Sequence, residues 1–170
     1  MSDDLLDAMA IRQYLDEVAD ELTPGMTHVI VVVGGALLAW HGVREATRDV
    51  DSGQRLDAEV VVAVARVAAR HDLAPRWLND SAAAFLPTTF VMNDCVVLLD
   101  TPTLRVVGVP WNDLFLMKLK ASRAVDTDDM AAIWPYCTFG SPDAAVEAFY
   151  EAYPLERYDE FLADHIRNII

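Results

Sequence analysis

The segment "THVIVVVGGALLAWHGVREATRDVDSG", residues 27–53, constrains the fold more than any other stretch. Its first seven residues are β-branched apart from His28, and the apolar run from Val29 suits a strand buried on both faces. Gly34 and Gly35 then turn the chain into a short helix through "ALLAWHG", and "TRDVD" returns as a second strand. Alternate residues of a strand share a face, so Asp49 and Asp51 put two carboxylates side by side if the segment from Arg48 is extended. Such a pair repels itself unless a cation neutralises it. Taken alone, Asp-x-Asp at a strand end is more often turn chemistry and solvation than a metal site.

The rest of the chain reads as one α/β (α+β) domain over 1–170, a mixed sheet flanked by helices, with a core of about 23–134 and a C-terminal helical part of about 135–170. Residues 3–22 carry an apolar stripe at helical spacing, and the alanine- and valine-rich stretch 55–71 is a second helix. "FLPTTFVM", "CVVLLD" and "LRVVGV" read as three short strands, with Pro110 ending the sheet. Helices are expected at 111–122 and 127–134, and two more beyond them. Ser141-Pro142 opens one, and Leu155, Tyr158, Phe161, Leu162, His165, Ile166 and Ile169 supply the apolar stripe of the other.

An apolar content of 54% supports a folded core, while the run Val29 to Trp40 falls short of the ~20 residues of a membrane span. The acidic start "MSDDLLDAMA" does not resemble a secretory signal, and Cys95 and Cys137 are too few for a disulfide framework or a zinc site. A cytoplasmic location without membrane contact is the expectation. The formal charge of −14 repels nucleic acid overall. A nucleic-acid substrate therefore needs a local basic patch, from Arg44, Arg48, Arg55, Arg66 and Arg70 or from Lys118, Lys120 and Arg123. A basic protein partner is the other natural use of such a surface.

The order of strand, Gly-Gly turn, helix and Asp-x-Asp strand resembles the opening motif of minimal nucleotidyltransferases of the DNA polymerase beta-like superfamily. "GGALLAWHGVREATRDVD" is similar to the signature of the toxin-type branch related to the AbiEii toxins. "RWLNDSAAAFLP" and "VPWNDLFLMKLKASRAVDTDDMAAI" resemble further blocks of the same group, so the likeness covers roughly residues 28–134. It implies that Gly34 and Gly35 approach a nucleoside triphosphate, that Asp49 and Asp51 hold Mg2+, and that Lys118 binds triphosphate. It also implies that Asp126 with Asp129 completes the acidic site or orients the lysine. Ser52-Gly53 departs from the family's apolar residue after the second aspartate, so the second strand is expected to end early.

Each role has a structural alternative. Lys118 either snorkels from its helix or, within "FLMKLKA", needs a charge partner; Lys120 lies about 200° further round at ~3.6 residues per turn. Asp126 is either a helix N-cap or a site residue, and Asp129 shares its face. Arg44 either fixes the turn by pairing with an aspartate or reaches a phosphate, and Thr47 satisfies backbone groups. Trp77, Asn79 and Asp80 either shape a nucleobase or RNA contact or, the better reading, form a buried ring followed by an Asn-Asp turn, and His41 reads as a packing residue.

The implied activity is Mg-dependent transfer of a nucleoside monophosphate from an NTP to an acceptor hydroxyl, on a tRNA end or a protein. The implied setting is a toxin–antitoxin pair with a basic antitoxin. The alternative is a degenerate nucleotidyltransferase fold that binds a nucleotide or partner without turnover.

Overall fold

The computed structural model describes residues 5–121 and 123–170, and resolves into two compact units. The first comprises residues up to Ala84 together with Cys95–Val109; the second comprises Phe85–Asp94 and Pro110–Ile170.

In the first unit, Asp7 caps α1 (Ala8–Glu21) by accepting the Ala10 N–H at 2.8 Å. β1 (His28–Val33) leads directly into α2 (Gly34–Trp40), followed by β2 (Val50–Ser52), α3 (Ala58–His71) and β3 (Leu78–Asn79). β4 (Val96–Asp100) and β5 (Leu104–Gly108) complete a five-stranded sheet of order β3-β2-β1-β5-β4. β1 is antiparallel to β2 and parallel to β5; β2–β3 is parallel and β4–β5 antiparallel. The mixed sheet flanked by helices follows the fold class read from the sequence.

Central β1 is apolar because Ile30 to Val33 are all buried there. Its polar exception, His28, is buried as well, with Nδ1 2.7 Å from the Asp57 carboxylate ahead of α3. α1 is held to α3 by carboxylates at Glu17 and Glu21, which pair with Arg66, Arg70 and His71. Trp77 is buried and donates its indole N–H to the Val64 carbonyl.

In the second unit, α4 (Trp111–Ala121) starts one residue after Pro110, and Ser122, the last residue of the helix expected there, lies outside the described residues. α5 (Thr127–Ile133), α6 (Pro142–Ala152) and α7 (Leu162–Ile169) follow, with Ser141 capping α6 through the Ala144 N–H. Phe115 of α4 packs against Trp134 and Phe139.

Four expectations are corrected. "FLPTTFVM" forms no strand: Pro87 has no N–H to give a ladder, and Thr88 donates its N–H and hydroxyl to the Ala152 carbonyl at the end of α6. The last helix starts at Leu162 rather than near Leu155, so Leu155, Tyr158 and Phe161 are 97%, 78% and 65% exposed instead of forming its apolar stripe. Asn79, expected with Asp80 in a turn, instead forms with Leu78 an edge strand beside β2. The first helix is also shorter than 3–22: residues 3 and 4 lie outside the described residues, and Leu6 pairs with Thr47 across an isolated bridge.

Candidate functional site

The first unit brings Gly34, Gly35, Arg44, Thr47 and Asp51 together. Gly34 has φ +63°, a left-handed conformation that glycine adopts without a steric penalty, so β1 can turn sharply into α2. Strand β2 runs back beside β1, with Asp51 opposite Val33. This register places Asp51 over the turn: a Cβ on Gly34 would lie 3.3 Å from Asp51 Oδ2. A Cβ on Gly35 would lie 2.7 Å from both Arg44 Nη1 and Thr47 Oγ1. Glycine at both positions thus leaves room for a carboxylate, a guanidinium and a hydroxyl to converge on bare backbone.

The loop bearing Arg44 and Thr47 is pinned from the N-terminal side. Leu6 donates its N–H to the Thr47 carbonyl at 2.6 Å and accepts the Thr47 N–H at 2.9 Å. These bonds fix the Thr47 backbone, and its buried hydroxyl reaches the Gly35 position. Nothing in the sequence marks Leu6 as the partner of this loop.

Asp49 precedes β2 and is half-buried; Val50 and Ser52 are fully buried, while Asp51 remains partly exposed. The strand ends at Ser52, whose hydroxyl bonds the Gln54 carbonyl at 2.7 Å. Asn79 pairs with Asp51 on the other side of β2, and its Oδ1 accepts the Ser81 N–H at 2.9 Å. Asp80 accepts the Leu56 N–H at 3.2 Å, so Asn79 and Asp80 hold the strand ends around Asp51. Sequence reasoning named these two residues for a turn and missed this placement, for which the β2–β3 pairing is the signal.

Among the described residues, no group of three or more His, Cys, Asp or Glu is arranged to hold a metal ion. Two carboxylates are nevertheless a donor set that suits magnesium, which binds through one or two carboxylates and takes its remaining oxygens from phosphates and water. The Gly34 position, where a side chain would crowd Asp51 Oδ2, fits that chemistry.

The second unit brings Lys118, Asp126 and Asp129 together. All three are buried, and Lys118 Nζ donates at 2.8 Å to Asp126 Oδ1 and at 2.8 Å to Asp129 Oδ2. Burial alone would raise the Asp126 pKa, but hydrogen bonds from Arg123 and Lys118 outweigh it and hold the carboxyl below its ordinary value. Lys120, on the other side of α4, is partly exposed and paired with Glu156. The helix phase that separated the two lysines is the one observed.

Most of the cations offered as basic patches are occupied. Arg66 and Arg70 pair with Glu21 and Glu17, Lys118 with two aspartates, Lys120 with Glu156, and Arg123 with Asp126. Cys137 is inert, its thiol pushed up to about 12 by burial.

The chain belongs to the family described as nucleotidyltransferase of unknown function (DUF6036), whose model matches residues 9–134. The match takes in the Gly-Gly turn, Asp49, Asp51 and the Lys118 cluster, and membership makes the chain a transferase in general, with a nucleoside triphosphate as its substrate class. The chain has no significant match among curated proteins or among solved structures. No helix of the described residues is long and apolar enough to cross a membrane.

Proposed function

We propose that the protein transfers a nucleoside monophosphate from an NTP to an acceptor hydroxyl, releasing pyrophosphate. One observation carries this reading: Asp51, Arg44 and Thr47 converge on the Gly34-Gly35 turn, so that a Cβ on Gly35 would lie 2.7 Å from Arg44 Nη1 and Thr47 Oγ1 and one on Gly34 3.3 Å from Asp51 Oδ2. Backbone amides bared by glycine can approach phosphate oxygens, and the Arg44 guanidinium supplies charge-assisted hydrogen bonds to them. Thr47 offers a hydroxyl beside that guanidinium. Asp49 and Asp51, two residues apart across buried Val50, are the proposed ligands of Mg2+. When bound, the ion neutralises phosphate charge and lowers the pKa of the acceptor hydroxyl.

In the transfer, the acceptor oxygen forms a bond to the α-phosphorus. The bond from that phosphorus to the α–β bridging oxygen breaks, and pyrophosphate leaves with the electron pair. The acceptor's proton passes to solvent. Arg44 holds phosphate oxygens so that attack is in line, a contribution of positioning and charge stabilisation. Lys118 is proposed as a triphosphate contact on the family resemblance, with Asp126 and Asp129 orienting its ammonium.

The toxin-type resemblance supplies a tRNA end as the acceptor and a basic antitoxin as the partner, which −14 would steer electrostatically. The pairing of Arg66, Arg70, Lys118, Lys120 and Arg123 with carboxylates favours a protein hydroxyl as the second acceptor class. Incubation with each labelled NTP, magnesium and either total tRNA or cell protein separates the two. Label on RNA supports the first, label on protein the second, and label on neither with any NTP refutes transfer.

A non-catalytic reading is favoured by one observation, the brevity of β2: it spans only Val50–Ser52, so Asp51 has a single strand residue after it. On that reading the protein binds NTP with normal affinity and never incorporates it.

A further inference from the structure

The second unit carries a groove of about 690 Å³ between α6 and the segment leading into α7. Its residues, between Asp143 and Ala163, all lie beyond the 9–134 stretch that matches the nucleotidyltransferase family. Two tyrosines form part of its wall: Tyr150 and Tyr158 have ring centroids 5.5 Å apart. Tyr150 is the hinge of the arrangement, because its hydroxyl accepts the Asp159 N–H at 2.7 Å and donates to the Arg157 carbonyl at 3.4 Å.

Every charged side chain of the lining is acidic. Asp143, Glu147 and Glu151 follow one another at four-residue steps, so they form a row up one face of α6. At 1.5 Å per residue that row is about 12 Å long. Asp143 pairs with Arg167 at 2.7 Å. Glu147, Glu151 and Glu160 have no cation partner among the described residues. Asp143, Glu147 and Glu151 are exposed, so this face of α6 presents a row of negative charge that a row of cations at the same spacing complements. Leu155 and Phe161, on the same facing segment, are 97% and 65% exposed.

We propose that this groove docks a basic segment of another protein, with arginine or lysine side chains spaced along the α6 row. Its cations face Glu147, Glu151 and Glu160, and one of them lies over the Tyr158 ring. Its apolar side chains cover Leu155 and Phe161. The row of acids sets the spacing, and the tyrosines favour a guanidinium, which stacks on aromatic faces, over a simple ammonium. Nucleic acid is repelled by the same carboxylates. The inference does not depend on nucleotidyl transfer.

The test uses the full-length chain and a fluorescein-labelled 16-residue helical peptide with arginine at every fourth position and leucine between. A control peptide carries glutamate in place of arginine. Anisotropy is read for the wild type, for Glu147→Lys with Glu151→Lys, and for the equal charge change Asp16→Lys with Asp20→Lys on α1. The expected loss is about tenfold for the groove pair and less than about threefold for the α1 pair. Tyr158→Ala weakens binding by roughly two- to fivefold through its ring alone. If the groove pair melts early, Glu147→Gln with Glu151→Gln replaces it, with a smaller loss of the same sign. Equal loss from both lysine pairs overturns the proposal in favour of general attraction to an acidic protein. Equal binding of the glutamate peptide, or displacement by spermidine at matched charge concentration, overturns it as well.

Discussion

Replacing Lys118 by Met tests how far the buried cluster of the second unit depends on one ammonium. Lys118, Asp126 and Asp129 are 5%, 2% and 9% exposed, so neither carboxylate can turn to water when the lysine goes. Asp126 keeps Arg123, which donates to it through Nε at 2.7 Å and Nη2 at 3.2 Å. Asp129 loses the 2.8 Å bond from Lys118. Removing one partner of a buried pair costs about 3–5 kcal/mol, and the retained Arg123 argues for the lower end, near 3 kcal/mol. For a chain of this size each kcal/mol moves the melting temperature by roughly 2–4 °C, so Lys118→Met should melt about 6–12 °C below wild type. Adding Asp129→Leu removes one of the two carboxylates that faced the ammonium and should recover part of that loss. Thermal melts followed by circular dichroism read all three proteins. A single variant within about 2 °C of wild type, or a double variant no better than the single, refutes the assignment of this cluster as a mutually dependent buried network.

Three other perturbations have definite signs. Asp126 is held below its ordinary pKa, so its stabilising contribution is fully present above the unfolded value of about 3.9 and is lost as pH falls through the folded one. Urea midpoints of wild type and Asp126→Asn should therefore converge below about pH 4, and a constant gap down to pH 3 contradicts this. Gly35→Ala drives a methyl against Arg44 and Thr47 and should weaken NTP binding by about tenfold or more, the worth of one displaced charge-assisted hydrogen bond; unchanged affinity by calorimetry counts against the site. Cys137, at about 12, carries almost no thiolate at pH 8, so iodoacetamide followed by mass spectrometry of the native protein should leave it unlabelled, and rapid labelling contradicts the burial argument.

The most legible part of the sequence was the one where local and global demands coincide. The β-branched run of β1, the Gly-Gly turn and the return through Val50 announced themselves because central strands are apolar and sharp turns need glycine. Lys118 stood out for the same reason, since an ammonium amid "FLMKLKA" requires partners, and Asp126 and Asp129 are those partners. What failed was long-range. Leu78 and Asn79 are a strand only because β2 lies beside them, and two residues carry no period of their own. "FLPTTFVM" has strand composition, yet the bonds of Thr88 go to the end of α6, far away in the chain. The apolar residues Leu155, Tyr158 and Phe161 fit a helical stripe equally well, but that segment is tied to Tyr150 and its apolar side chains stay in water. Within the site, neither the approach of Arg44 and Thr47 to Gly35 nor the pinning of their loop by Leu6 was readable in the sequence.

The central claim is transfer of the α-phosphoryl group with its nucleoside, and the position of the label decides it. Wild-type protein, magnesium and a tRNA or protein acceptor are incubated in parallel with NTP labelled at the α- or the γ-phosphate. The account predicts that α-label enters the acceptor while γ-label leaves as pyrophosphate, and that Asp49→Asn and Asp51→Asn abolish incorporation with melting temperatures near wild type. Lys120→Ala, whose side chain is paired with Glu156, should retain near-normal turnover. Incorporation of γ-label, or undiminished α-label with both aspartates replaced, would contradict it.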